Sequence, residues 1–383
     1  MADDESSRSK LFRVGKTAFR KLGYHCDNPV VVIESDDWGA VRIPSIQALK
    51  EFEHKYPERE LDHYQSYDTL DTVEDIEMLS DVLERHNQQT SSPVFTMNFA
   101  MANPVFQTGN DKIGTPFLWE PISNTYQKYY GRDTNPIDTI VSLSSRGIIH
   151  PQLHGREHLN VTSWRYGILN DKKLKYAYEL HMVGLNDGKY CGLDALNRAN
   201  TEISHYEYIE DSIMLFEVYF GFVPMSFIAP CYVIGADEER ELASHGVRIL
   251  QGGWLTNRTN SKGKLLRLPT VLGSKGHSGL IKLVRNCQLE PAWFYRRGKS
   301  SEECVTKALK YVKEAFQAKQ PAIVCSHRVN YVGGIDRSNR EFGLKCLDSF
   351  LSEVMRRWPM VRFMSSDELG EQVRRISCKG DDK

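Results

Sequence analysis

The 383-residue sequence lacks several features that would point to a particular class of protein. Its eight cysteines form no Cys-x-x-Cys pair, so a cysteine-ligated zinc site is not indicated. Its formal net charge of -1 gives no electrostatic footprint for nucleic acid. It has no internal repeat, no low-complexity block and no apolar run long enough to cross a bilayer. We therefore expect an ordinary globular protein with neither a nucleic-acid partner nor a transmembrane segment.

The first residues also lack the apolar core of an export signal. Residues 1–24 form a basic extension, in which residues 11–20 are mildly amphipathic. We expect this short segment to pack as a helix on the domain, with contact to a membrane surface as the alternative. Scattered cysteines such as Cys325, which lies in an apolar run, indicate reduced thiols. The expected location is the cytoplasm.

Short apolar runs alternate with helix signals over nearly the whole chain. Residues 30–33 are four consecutive β-branched residues, a pattern typical of a strand buried on both faces of a parallel sheet. Ser300 with Glu303 has the form of a capping box and predicts a helix start, as does Asp71 with Glu74. This alternation predicts an α/β fold with a parallel sheet.

The predicted domain organisation is simple. A single barrel domain covers residues 25–377, with a long loop insertion at about residues 100–135. Residues 378–383 are predicted to form a disordered tail. Polar residues recur just after the predicted strands, which is typical of the active face of a barrel.

Two carboxylates, Asp36 and Asp37, stand together where the first strand ends. Adjacent like charges at the end of a buried strand are unfavourable without a cation, because the low dielectric strengthens their repulsion. A metal ion would remove that repulsion. The alternative is a solvated turn in which Asp36 caps a helix.

Three histidines, His150, His154 and His158, recur every four residues in a polar segment after a predicted strand. Imidazole is the commonest ligand for zinc-like metals, and two histidines with one carboxylate leave positions open for water and substrate. Glu157 is an alternative base, although the string is not His-Glu-x-x-His. His327 directly follows another apolar strand, and its ordinary pKa of about 6.5 suits a general acid or base.

In this order, the residues resemble the motifs of the NodB-homology polysaccharide deacetylases, carbohydrate esterase family four. The similarity spans about residues 29–370 and implies a distorted (β/α) barrel, often with seven strands. By this resemblance Asp36 is the general base and His327 the acid. Asp37, His154 and His158 would hold a divalent metal, zinc or another first-row ion. The implied reaction removes acetyl groups from an acetylated (amino) sugar or polysaccharide, with a water activated by the metal attacking the amide or ester carbonyl.

Side chains near these motifs are candidates for binding a carbohydrate or glycan-precursor substrate. The candidates are Trp38, Tyr232, Trp164, Trp254 and Arg328, with Trp293 as a further ring for stacking on a sugar face. A backbone N–H near Tyr232 would stabilise the oxyanion.

Two motifs depart from the family pattern. The third usually has an Arg before its proline, and residues 227–232 here read Phe-Ile-Ala-Pro-Cys-Tyr. The fourth usually has Asp-Trp, where this chain has Gly253-Trp254. In the family the lost Arg and Asp orient or tune the catalytic pair.

Several alternatives therefore stay open. Arg156, Glu157 and Arg328 are candidates to replace the lost groups, and spacing does not choose between them. The chain would then be a metal-dependent hydrolase of another amide, ester or glycan linkage on the same barrel. Further alternatives are a non-catalytic barrel that binds a glycan or a partner protein, and a purely structural metal site.

Overall fold

The computed structural model describes residues 22–87, 92–107, 116–132, 134–185, 192–260, 263–276 and 278–381, with side chains through residue 376. Its strands, in chain order, are β1 (Val30–Trp38), β2 (Phe95–Phe99), β3 (Ala102–Pro104), β4 (Trp119–Pro121), β5 (Ile149–Leu153), β6 (Ser226–Ile228), β7 (Ile249–Gly252), β8 (Leu255–Thr259), β9 (Leu265–Pro269), β10 (Ile281–Val284), β11 (Cys287–Gln288), β12 (Ala322–His327) and β13 (Arg362–Phe363).

The helices connect these strands. They are α1 (Ile46–Lys55), α2 (His63–Tyr67), α3 (Val73–Arg85), α4 (Ile122–Tyr130), α5 (Pro136–Ser145), α6 (Val161–Asn170), α7 (Lys172–Glu179), α8 (His205–Phe220), α9 (Ala236–Ser244), α10 (Pro291–Tyr295), α11 (Ser301–Gln317), α12 (Arg337–Arg357) and α13 (Ser366–Asp381), with short 3-10 turns at Pro230–Tyr232 and Arg328–Asn330.

Eight strands lie side by side in the order β10-β7-β6-β5-β2-β1-β12-β11, and β13 pairs in addition with β1. Every pairing in this series is parallel. Parallel neighbours need crossover connections, which the helices between successive strands supply. The predicted α/β architecture with a parallel sheet is confirmed.

The two edges of this sheet are joined by the chain itself. β10 pairs with β7 at one edge, and β11 pairs with β12 at the other. Only Arg285 and Asn286 separate them; the N–H of Arg285 donates to Gly252 O, and that of Asn286 to Ile323 O. One split strand therefore occupies the closing position of a barrel with seven strand positions. The distorted barrel that the sequence predicted is confirmed.

The inward side chains of β1 change from apolar to polar along the strand. Val30 and Val32 pack with Ile249, Leu283 and Ile323 of other strands in a cluster that fills the lower interior. Because alternate residues of a strand share a face, Glu34 and Asp36 follow them on the same side. The upper interior is therefore polar.

Two predicted segments differ in detail from the structure. The predicted loop insertion contains β3, β4 and α4 in its described part. The predicted Asp71–Glu74 capping box is wrong by one residue, since Thr72 and Asp75 form the box at α3. Asp71 is instead buried, where it accepts hydrogen bonds from the Tyr126 hydroxyl and the Gly39 N–H. The Ser300–Glu303 box at α11 is confirmed.

The predicted domain boundaries lie near the two ends of the chain. Residues 1–21 of the predicted basic extension lie outside the described residues. Helix α13 extends through Asp381, into the segment predicted to be a disordered tail. Within the described ranges, no helix is both long enough and apolar enough to cross a membrane.

Candidate metal and catalytic site

A cavity of about 540 Å³ opens at the carboxyl ends of β1, β5, β6 and β12. That volume lies within the range of small-molecule sites. Its wall includes all five residues to which the family resemblance gave a metal-binding or catalytic role: Asp36, Asp37, His154, His158 and His327. The structure thus brings together side chains that lie far apart along the chain.

Both aspartates reach this cavity because β1 is irregular at its end. The register of β1 against β2 shifts between Ser35 and Trp38, which marks a bulge. Asp37 has a φ of 74°, a left-handed conformation that is uncommon for a residue with a side chain. Successive side chains of a regular strand point to opposite faces, whereas this bulge lets Asp36 and Asp37 line one cavity. Such outliers cluster at functional sites.

Asp37, His154 and His158 form a three-residue donor set. Asp37 Oδ1 lies 3.5 Å from His154 Nε2 and 3.6 Å from His158 Nε2. Two atoms that each bind a tetrahedral zinc at about 2.1 Å stand about 3.4 Å apart, close to these separations. The Nδ1–H of His154 donates to the carbonyl of Ile228 at 2.8 Å, which leaves Nε2 free to ligate.

The protonation of the donor set suits a metal ion. Burial lowers the pKa of His158 to about 3, so its imidazole is neutral, the form that binds metals. Burial alone would raise the pKa of Asp37, but the Arg42 guanidinium and His154 hold it well below its usual range. Asp37 Oδ1 is buried and accepts no hydrogen bond within the described residues, although Arg42 approaches to 3.2 Å. The residues therefore fit a divalent ion such as zinc.

Asp36 lies beside the donor set and is clamped by Arg285 of the split strand. The two Nη atoms of Arg285 donate to the two carboxylate oxygens at 2.6 Å each, and Asn98 Nδ2 donates to Oδ1 at 2.8 Å. Burial alone would raise the pKa of Asp36, but Arg285 lowers it to about 2. A guanidinium therefore contacts Asp36 even though residues 227–232 contain no arginine.

His327 lies between Asp36 and Glu290. Its Nε2 is 3.8 Å from Asp36 Oδ2, and its Nδ1–H donates to Glu290 Oε1 at 2.6 Å. The Tyr64 hydroxyl oxygen is 3.0 Å from the same Nδ1. Burial alone would lower the pKa of His327, but the Glu290 carboxylate raises it well above its ordinary value. Glu290 therefore holds the His327 ring in its orientation.

A second donor set, Glu290, Cys325 and His327, also has its ligand atoms close together. The direct 2.6 Å hydrogen bond between Glu290 and His327 is too short for two atoms that share one ion. We therefore interpret this cluster as support for His327. Arg285 and Glu290 were not identified from the sequence. Arg285 follows the apolar pair Leu283-Val284, the kind of signal that identified His327, whereas Glu290 follows no such run.

Two predicted carbohydrate-binding residues are fully buried, so that prediction is wrong for them. The Trp38 ring belongs to the large core, and its Nε1–H donates to Ser35 Oγ. Arg328 forms ion pairs with Asp68 and Asp71 beneath the surface. It cannot replace the missing third-motif Arg, because both of its partners lie outside the catalytic group.

Trp164 and Trp254 are also absent from the cavity wall, which corrects the prediction for them. Trp164 packs edge-on against Phe106 and Phe117 in a small satellite cluster. Trp254 packs against the cluster that fills the lower barrel. Tyr232 does line the cavity, as expected. It lies in a turn in which Cys231 and Tyr232 have φ values of 54° and 57°.

His150 and Glu157 do not join the site either. His150 lies within β5 rather than after it, and four residues of strand place it about 13 Å from His154. Its Nε2 lies 2.7 Å from Asp367 of α13. Glu157 is buried and accepts two hydrogen bonds from Arg156, so neither residue of this pair replaces the lost motif groups.

Comparison with known proteins gives no match by sequence: no family model and no curated protein matches. Solved structures do match in three dimensions. A 4-alpha-glucanotransferase from Thermococcus litoralis matches at 10% identity and a TM-score of 0.44, over 89% of this chain and 40% of that one. A family 4 acetyl xylan esterase from Clostridium thermocellum, solved with a cobalt ion, matches at 12% identity and a TM-score of 0.36, over 89% of both chains. A peptidoglycan N-acetylglucosamine deacetylase matches at 10% identity and a TM-score of 0.41, over 91% of both chains.

The likeness of the chain to these three solved structures lies in their three-dimensional arrangement only. With identities of 12% or less, this is a likeness of fold. Function has to be inferred from the side chains that meet in the cavity.

Proposed function

We propose that this protein is a metal-dependent hydrolase that removes acetyl groups from an acetylated amino sugar or polysaccharide. The supporting observation is a single cavity in which the Asp37, His154 and His158 donor set adjoins an ionised carboxylate and a protonated imidazole. A divalent ion held there, zinc or another first-row metal, would supply Lewis-acid charge and lower the pKa of water.

Two side chains would divide the proton transfers. Asp36 is ionised near neutral pH because of Arg285, so it can accept a proton from the attacking water. The lowered pKa also makes Asp36 a weaker base. The benefit of Arg285 therefore lies in fixing the orientation of the Asp36 carboxylate. His327 is kept protonated by Glu290 and can donate to the leaving nitrogen or oxygen. The 3.8 Å between the two groups lets both reach one tetrahedral carbon.

The substrate class follows from the wall of the cavity. Tyr232 and Trp293 line it beside the catalytic groups, and aromatic rings of this kind offer flat faces to sugars. We propose a carbohydrate or glycan precursor as the substrate. Several described cysteines are free thiols, including the buried Cys304 and Cys346. Free thiols favour a reducing compartment and hence the cytoplasm.

Acetate release from N-acetylated oligosaccharides, O-acetylated xylan and peptidoglycan fragments tests the proposal. Asp36→Asn should keep stoichiometric metal but lower the rate by at least about 100-fold, the scale of a lost general base. Asp37→Ala and His158→Ala should lose the metal, as measured by elemental analysis. Asp81→Asn, an exposed carboxylate of α3 outside the cavity, is the matched control. Full activity in Asp36→Asn, or full metal content in Asp37→Ala, would refute the assignment.

A further inference from the structure

The cavity continues from the catalytic groups toward α10 and α11. Glu290, the partner of His327, leads directly into α10, from which Trp293 faces the cavity. Lys307 and Tyr311 lie one turn apart on α11 and line the same region. We call this region, defined by Trp293, Lys307 and Tyr311, the distal end of the cavity.

The distal end carries positive charge that forms no ion pair with a carboxylate of the described residues. The Lys307 ammonium lies 5.2 Å from the centre of the Trp293 ring and 5.6 Å from that of Phe294. Arg297 lies 4.0 Å from the centre of the same Trp293 ring. Neither cation has an ion pair with a carboxylate anywhere in the described ranges. A cation beside an aromatic ring is attracted to it but keeps its charge.

The catalytic end of the cavity is already balanced in charge. Asp36 pairs with Arg285, Asp37 with Arg42, and Glu290 with His327. The remaining carboxylate of the wall, Asp62, is committed as the N-cap of α2. Apart from the divalent ion proposed for the Asp37, His154 and His158 donor set, a substrate that fills the whole cavity therefore meets unpaired positive charge only at the distal end, as far as the described residues go.

We propose that the distal end binds an anionic group of the substrate, a carboxylate or a phosphate, at a position remote from the acetyl group that is removed. The preferred substrate is then an acidic acetylated sugar, such as an N-acetylated uronic acid or a phosphate-bearing glycan precursor. Lysine is a compact point charge that accommodates either anion, and the Tyr311 hydroxyl offers a further hydrogen bond. The identity of the sugar rests on the proposed function, whereas the anion preference rests on the distal end alone.

Equilibrium binding to the full-length protein, measured by isothermal titration calorimetry, tests this preference. The probes are N-acetylglucosamine, its 6-phosphate and 1-phosphate esters, and N-acetylglucosaminuronic acid. We expect at least one anionic sugar to bind about fivefold more tightly than the neutral one, the scale of one partly exposed charge pair. The advantage should shrink at high salt. Comparison of the phosphates with the uronic acid identifies which anion the site takes.

Lysine variants identify the group responsible. Lys307→Ala should remove the advantage of the anionic sugars, and Lys307→Glu should reverse it. Both variants should fold, because Lys307 is exposed and makes no ion pair with a described residue. Lys313→Ala is the matched control, since Lys313 is an exposed lysine of the same helix that does not line the cavity. It should keep the full advantage.

Two results would overturn the inference. One is equal affinity for neutral and anionic sugars, and the other is a preference for anions that survives Lys307→Ala. Catalysis is tested separately by acetate release. A Lys307-dependent anion preference without acetate release would contradict the proposed function alone. Acetate release with equal kcat/KM for neutral and anionic sugars would contradict the distal anion site alone.

Discussion

Two charged side chains set opposite protonation states in the catalytic pair. Arg285 lowers the pKa of Asp36 to about 2, and Glu290 holds the pKa of His327 well above its ordinary value. Near neutral pH the pair is therefore a carboxylate beside an imidazolium, ready to accept one proton and donate another.

Glu290→Gln tests the role assigned to Glu290. The substitution keeps a hydrogen-bond acceptor at His327 but removes the negative charge, so the pKa of His327 should fall. His327 acts in its protonated form, and activity is lost as the pH rises through its pKa. The alkaline limb of the pH profile of kcat/KM for acetate release should therefore move to lower pH.

The control for this experiment is Glu302→Gln, which removes an exposed carboxylate of α11 outside the cavity. Its alkaline limb should coincide with that of the unaltered protein. An alkaline limb that stays in place in Glu290→Gln would show that another group is the acid.

The motif residues could be predicted from the sequence, and their partners could not. Asp36, Asp37 and His327 are recognisable because each comes soon after a short apolar run in the sequence. Arg285 stands 249 positions from Asp36, and only the order of strands in the barrel brings the two together. Trp38 and Arg328 were assigned to substrate because they adjoin motif residues, but adjacent residues of an extended chain face different surroundings.

The split strand β10–β11 links closure of the barrel to the catalytic site. Arg285 stands at the point where the strand changes partner. The side chain of Asn286, next to it, accepts a hydrogen bond from the Ile323 N–H and donates one to Pro321 O, each at 2.9 Å. The same two residues therefore clamp Asp36 and fasten the closing strand to β12.

Asn286→Ala should destabilise the fold by about 1–3 kcal/mol, because it leaves a buried backbone N–H and carbonyl without their partners. The midpoint of urea unfolding, followed by circular dichroism, measures this loss. Met360→Ala is the control; Met360 is 77% exposed, so its effect should stay within about 0.5 kcal/mol. An unchanged midpoint in Asn286→Ala would mean that the closing strand is held by other contacts.

The elements themselves were largely predictable, because their signals are local. The β-branched run of β1 and the capping box at Ser300 each identify an element from a few neighbouring residues. The change of pairing partner along the split strand, from β7 for β10 to β12 for β11, has no local signal in the sequence. It depends on which strands lie on either side of the split strand. The hairpin of β3 and β4 was missed since strands of three residues are too short to show a period.

The barrel as a whole is apolar and sealed at one end, and polar and open at the other. Leu369 and Val373 of α13 join the cluster that fills the lower interior. Above it lies Glu34, whose pKa burial raises even though Arg285 Nε donates to its carboxylate at 2.6 Å. Polar and charged groups therefore occupy the half of the interior that lies next to the cavity.

A metal bound at this open end should stabilise the entire fold. A ligand at 100 times its Kd adds about 2.7 kcal/mol to the free energy of unfolding, provided that the unfolded chain does not bind it. We expect added zinc to raise the Tm of the chelated protein by a few degrees, as followed by differential scanning calorimetry. Asp37→Ala should show no such rise. An equal rise in both proteins would place the ion elsewhere.

The proposed chemistry requires that Asp37, His154 and His158 hold one metal ion. Anomalous diffraction from zinc-soaked crystals, recorded on both sides of the zinc absorption edge, tests it most directly. We expect one strong peak bounded by Asp37 Oδ1 and the Nε2 atoms of the two histidines. A cavity without a peak, or a peak between Glu290, Cys325 and His327 instead, would contradict it.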